Sequence, residues 1–550
     1  ILPSGAQIAY WFTYDINGNQ AWMIGNGSTS AALGSFSLDM LQPTGGRFGP
    51  DFDPDDVQIQ PVGSTRLNVQ CSGGFADYKT TDPTDFVDIR FDLQRIAGLG
   101  PGACNDPALV EIYPRTNGEV AIPDHEAGRQ LQWFVNQLAN NSAFSDAVIR
   151  QRFSDEWIAQ NGIGGTRTIL QNARSLYPSA VLTDPILMSP IQMTMLLTTP
   201  AGRDAFTRIA VNLSSGKITN LELFDYGFGL ESIVAAEDRN LNLSQAADRF
   251  ASFSAEPAVL VARINNNNQC QTIVGRNQNE LRGIASVFKI WVLAGVAEAL
   301  NDGALFHDQV IPLDAQKQVI GGALNTQAAG LPMTVDTLSS YMMGISDNTA
   351  TDMMLAAAGR DRIDGLHAEY GHKTPKILAP QLGISEQNHL FFSFPESDVL
   401  SYLDGTEAFQ RNFLNDRVVP LGAYQGGSFN NSDLVVSGYW QASAMDVCGA
   451  FARHRLHAPG SDAALLVERA LQMGIAEPFV RKHWDRVWFK GGGLPSAAGG
   501  NVVLTYAFML EKRGEQPIVV IAMANDEAGG LQQGPLLSPI RRMLELARNQ

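Results

Sequence analysis

The stretch "GIASVFKIWVLAGV", residues 283 to 296, constrains this chain more than any other. It is apolar almost throughout, which predicts a helix shielded from water on every face. Lys289 is nevertheless embedded in it as the only charged residue, one helical turn after Ser286. A lone ammonium is costly to bury, so its presence needs a chemical reason. Ser286 falls at the start of the helix, in the positive field of its N-terminus, and Lys289 faces the same side. A nucleophilic serine needs a base within hydrogen-bond reach. A lysine can serve when burial and a neighbouring cation lower its pKa.

At 550 residues the chain is too long for one core, so several domains are expected. No apolar run reaches the roughly 18 residues of a membrane span. The net charge of −17 excludes a nucleic-acid or anionic-membrane partner, because phosphate contacts need a basic face. The chain begins at Ile1, in a segment that reads as mid-strand; an export signal upstream, and a periplasmic or extracellular location, are therefore expected. Cys71 and Cys104 lie in one predicted domain and could pair, as suits an oxidising compartment. Cys270 and Cys448 are distant in sequence, and Cys448 in "SAMDVCGAFARH" reads as a core residue. No CxxC occurs, His454 and His457 lack a third ligand, and His367, Glu369 and His372 do not form HExxH. Neither a metal nor another cofactor is expected.

Three regions differ in pattern. Residues 1–120 are β-rich: "AYWFTYD", the turn "INGN" and "QAWMIG" form a hairpin signature. This region resembles a small aromatic-rich repeat domain of exported Gram-negative proteins. Its Tyr10, Trp11, Phe12 and Trp22 read as a small core, with a sugar-stacking platform as the alternative. Residues 125–228 give helical spacing in "GRQLQWFVNQLAN", "FSDAVIRQRFSDEWIAQ" and "TRTILQNARSLY", then three strand-like segments. This order resembles the cone-shaped α+β domains related to nuclear transport factor 2 and steroid isomerase. Its Asp146, Asp155 and Glu156 read as solvated surface. Residues 250–550 place strands at both ends and helices between, which implies an antiparallel sheet assembled from distant segments under a helical layer.

Ser-x-x-Lys occurs twice, and the copy at Ser214 and Lys217 falls in a polar turn between strands, where it reads as chance. The copy at Ser286 and Lys289 has partners in order: Ser346, Asp347 and Asn348 in "GISDNTATDMML", then Lys490 followed by Gly491 and Gly492 in "VWFKGGGLPSAAGG". This ordered set resembles the penicillin-recognising serine hydrolases, the class A β-lactamases among them. Together with the preceding helical region, the layout is similar to that of the clavulanic acid pathway protein that joins an isomerase-like domain to a β-lactamase-like one. The resemblance implies that Ser286 attacks a carbonyl and Lys289 accepts its proton. Ser346 would relay a proton to the leaving group, Asn348 would hold Lys289 and a substrate amide, and Lys490 would attract a substrate carboxylate. Asp347 would order its loop. The N–H groups of Ser286 and Gly493 would form the oxyanion hole, beside Gly491 and Gly492.

Two departures matter. Gly491 stands where the family carries Thr or Ser, so a carboxylate-binding hydroxyl is missing. Among Glu369, Glu386 and Glu396, none has the Asn four residues on that marks the deacylating glutamate. The sequence thus predicts a serine hydrolase acting on a small-molecule β-lactam, ester or cell-wall peptide with slow deacylation. The alternative is a degenerate penicillin-binding-like module that holds such ligands without efficient turnover.

Overall fold

The computed structural model describes all residues except 1–5, 16, 29–33, 46–52, 70–72, 82–85, 95–114, 117–118, 121, 228–233, 428–429, 439, 474–477, 498 and 513. Cys71, Cys104 and Tyr439 therefore lie outside the described residues, as does the side chain of Tyr10. The chain divides into two compact units. One joins Ile1–Val110 with Ala297–His307 and His457–Leu465; the other holds Glu111–Val296, Asp308–Leu456 and Leu466–Gln550.

In the first unit six antiparallel strands follow one another in chain order across one sheet, from Ala6–Tyr14 to Ile89–Gln94. The hairpin read from the sequence is present, with Tyr14 opposite Gln20. Asp15 closes its turn by accepting hydrogen bonds from the backbone N–H groups of Asn17 and Asn19, and Gly18 takes the left-handed conformation there (φ 81°). Trp11 packs edge-on against buried Tyr78 at 5.2 Å, whereas Phe12 is 78% exposed. Trp11 and Phe12 thus lie on opposite faces, as strand alternation requires, and Phe12 stands directly across from Trp22.

The second unit opens with the helices Glu126–Ala139, Asp146–Arg152 and Asp155–Leu176. They pack on a four-stranded antiparallel sheet. The sequence suggested three strands; the additional one, Val181–Met188, sits at an edge of the sheet. Pro185 lacks an N–H, and register shifts flank its pairing with Met195, as an edge strand tolerates. Of the three carboxylates read as surface, Asp146 pairs with Arg167, Asp155 lies 3.8 Å from Lys217, and Glu156 is exposed.

The rest of the unit is built on five antiparallel strands. Glu256–Ile264 and Cys270–Arg276 come from before the apolar helix; Arg486–Pro495, Asn501–Glu511 and Ile518–Asn525 come from the end of the chain. Arg486–Pro495 is an edge strand. On one face Val487, Phe489, Leu504, Tyr506 and Phe508 join the core formed with the helices Leu243–Ala251 and Gln533–Ala547. Alternation sends Trp488 and Lys490 to the other face, where Trp488 packs on Phe451 of the helix Ala444–His454. The four-stranded layer joins this region through a hydrogen bond between Ser189 Oγ and Tyr341 Oη (2.8 Å) and one from Arg481 to Pro185 O (2.8 Å). Cys448 is not a free core thiol: it forms a disulfide with Cys270, bridging the helix Ala444–His454 to the strand Cys270–Arg276. The stretch around residues 394–417 forms the short helices Glu396–Leu403 and Glu407–Phe413.

Candidate active site

Ser286 lies in the single 3-10 turn Ala285–Phe288, which runs directly into the α-helix Lys289–Asn301. The chain enters this turn under tight control. The side chain of fully buried Asn525 accepts from Gly283 N (2.7 Å) and donates to Gly283 O (3.0 Å), tying the segment to the end of a central strand. Ile284 N donates to Trp440 O (2.9 Å), and Phe288 stacks on the Trp440 ring at 3.8 Å. Ala285 is forced to φ 44° and Trp440 to φ 47°. Non-glycine residues hold such angles only where surrounding contacts impose them. Asn525 went unnoticed in the sequence; its one signal there is an amide at the end of the otherwise apolar run "IVVIAMAN".

Lys289 is fully buried. Its Nζ donates to Ser346 O (2.6 Å), Ser346 Oγ (3.1 Å) and Asn348 Oδ1 (3.0 Å). From the edge strand, Lys490 Nζ donates to the same Ser346 Oγ (2.9 Å) and to Gly491 O (2.6 Å). Two amines thus converge on one hydroxyl. Burial pushes Lys289 down to about 7, against the opposing pull of Asp347 and Asp352. Burial, and then the nearby Lys289, hold Lys490 well below the usual amine range. Ser346 itself is held at φ 59°. Asp347, fully buried behind it, accepts hydrogen bonds from Ala323 N (2.6 Å), Leu324 N (3.0 Å) and Ala350 N (2.9 Å), so it pins the loop and faces away from the amines' shared hydroxyl.

Ser286, Ser346, Asn348, Lys490 and Gly491–Gly493 line one cleft of roughly 610 Å³. Ser286 is part-exposed. Its hydroxyl makes no hydrogen bond among the described residues, and the Lys289 amine is aimed at Ser346 instead. At Gly492 an added Cβ would stand 2.3 Å from Ile284 O and 3.0 Å from Ser286 N. Only glycine lets the strand approach the serine turn this closely. At Gly493, the next residue along the strand, an added Cβ would make only ordinary contacts, 3.5 Å from Leu504 Cδ2 and 3.9 Å from Val503 O.

The carboxylates singled out in the sequence lie elsewhere. Glu369 pairs with Arg453, Glu386 pairs with Arg360 and caps Gly383 N, and Glu396 is exposed at a helix start. Among the described residues no aspartate or glutamate lines the cleft, and no cluster of His, Cys, Asp and Glu could hold a metal ion. No described helix is long and apolar enough to cross a membrane.

Residues 242–400 match the family model of the beta-lactamase enzyme family. The matched stretch lies in the C-terminal region and includes Ser286, Lys289, Ser346 and Asn348, while Lys490 lies beyond it. Among solved structures, the chain is similar to a β-lactamase from Chitinophaga pinensis DSM 2588 (13% identity, 55% of this chain and 97% of that one, TM-score 0.38). It is also similar to an ancestral class A β-lactamase (16%, 55% and 99%, 0.37) and to a β-lactamase from Sphaerobacter thermophilus DSM 20745 (15%, 56% and 98%, 0.37). No curated protein matches.

Proposed function

We propose that this chain is a serine hydrolase that forms an acyl-enzyme at Ser286 and cleaves amide or ester bonds of a small molecule: a β-lactam, an ester or a cell-wall peptide. The observation that carries this reading is the convergence of buried Lys289 and Lys490 on Ser346 Oγ beside part-exposed Ser286. Two ammonium groups around one part-buried hydroxyl repel each other, so one of them sheds its proton and becomes a base. As substrate enters, Lys289 Nζ turns from Ser346 toward Ser286, and Ser286 Oγ attacks the carbonyl carbon while that amine takes the hydroxyl proton. The carbonyl electron pair moves onto oxygen, held by the N–H groups of Ser286 and Gly493; each such donor is worth about 3 kcal/mol in the transition state. The intermediate collapses, the bond to the leaving nitrogen or oxygen breaks, and that atom receives a proton through Ser346 Oγ. Asn348 steadies Lys289, and Gly491 and Gly492 leave the strand edge bare for the substrate.

Water must then cleave the acyl-enzyme. With no carboxylate among the described residues lining the cleft, activation falls to an amine, so deacylation is slow. The same feature favours a second reading, a penicillin-binding-like module that captures ligand without efficient turnover. In our reading the domains are 1–120, of unassigned role, 125–228, a cone-like fold of the nuclear transport factor 2 and steroid isomerase type, and 250–550, which carries the chemistry. The Cys270–Cys448 disulfide fits an exported protein. Incubation with a penicillin and with a fluorophosphonate, read by intact mass, tests the assignment. A covalent adduct that disappears in Ser286→Ala supports it, and an unmodified wild-type protein rejects it. Release of the adduct over time separates the hydrolase from the binding module.

A further inference from the structure

We propose that the cleft selects uncharged substrates, namely esters or amides whose leaving group is apolar and carries no carboxylate. This rests on the serine hydrolase reading and narrows it. Anion recognition in a cleft needs an available cation or a fork of donors. Among the described lining residues there is no arginine, and the only cationic side chain is Lys490. Both hydrogen bonds of its Nζ are already made within the protein, to Ser346 Oγ and Gly491 O, and the residue is 1% exposed.

The strand beyond Lys490 adds no donor side chain, since Gly491, Gly492 and Gly493 follow in succession. Nor is position 491 a vacant seat for a hydroxyl: a Cβ there would stand 2.9 Å from Phe489 Cζ. Met343 and Ile345 instead supply apolar surface to the cleft, and Asn501 and Gln533, which also line it, are neutral amides. A carboxylate entering here would lose water and meet only neutral donors, with no free cation to balance its charge, whereas an apolar group gains from burial.

The test compares two esters that differ by one charge, the butyrates of 4-hydroxybenzamide and of 4-hydroxybenzoate, on the full chain near neutral pH. The readouts are kcat/KM and the concentration of each ester that slows fluorophosphonate labelling of Ser286. The expected result is at least a tenfold preference for the amide in kcat/KM or, where turnover is too slow to follow, in protection. Equal use of both esters, or preference for the carboxylate, overturns the inference while leaving the hydrolase reading intact. Absence of fluorophosphonate labelling removes the hydrolase reading, and the inference falls with it.

Discussion

The two Ser-x-x-Lys copies share a spacing and nothing else. Ser214 lies in an exposed turn, where its N–H and Oγ both donate to Asn212 Oδ1, and Lys217 reaches only exposed Asp155 at 3.8 Å. The side chain of that lysine is part-exposed, open to solvent beside a surface carboxylate. Lys289 is fully buried, and its hydrogen-bond partners are two polar residues that a distant loop brings to it. On the proposed reading, the difference teaches that this motif becomes reactive through burial and through a second amine, neither of which its spacing encodes. Each copy even has its own turn-pinning side chain: Asn212 for the exposed one, and buried Asp347 for the loop that meets Lys289.

The contrast can be broken most severely at the serines. Ser286→Ala should lower the rate of fluorophosphonate adduct formation at least about a thousandfold, with Ser214→Ala indistinguishable from wild type by the same intact-mass time course. Loss of the adduct in the second variant would invert the assignment. At the lysines, Lys289→Met should cost about 10²–10⁴ in kcat/KM, whereas Lys217→Met should change neither rate nor melting temperature. The pH profile sharpens the point. Lys289 acts as a base only when neutral, and burial holds it at about 7. The acylation rate should therefore climb roughly tenfold per pH unit below that value and level off above it. A profile still climbing past pH 9 would mean an amine with ordinary solvation. The smallest effect is on stability. Asp347→Ala strands buried N–H groups and should cost about 3 kcal/mol in urea unfolding, against about 0.5 kcal/mol or less for Asn212→Ala at the surface.

Much of this was legible in the sequence because it is local. The hairpin of residues 6–28 follows from alternation and a turn, and the buried helix follows from the apolar run. The ordered motifs marked Ser286, Lys289, Ser346 and Lys490, and the cleft brings Ser286, Ser346 and Lys490 together. What stayed hidden depends on contacts between distant segments. Lys289 reaches Ser346 rather than Ser286 because the loop carrying Ser346 folds over the amine. Cys270 finds Cys448 across a separation of 178 residues. The strand Val181–Met188 was obscured by Asp184 and Pro185, which break its pattern although an edge tolerates them. Asn525 anchors Gly283 from the far end of the chain.

The close approach at Gly492 carries a mechanical consequence. The serine turn abuts the backbone of a strand belonging to the five-stranded sheet, so the nucleophile borrows its rigidity from that sheet rather than from its own short turn. A progressive rise in denaturant should then leave catalysis untouched until the sheet melts, and both should vanish in a single cooperative step.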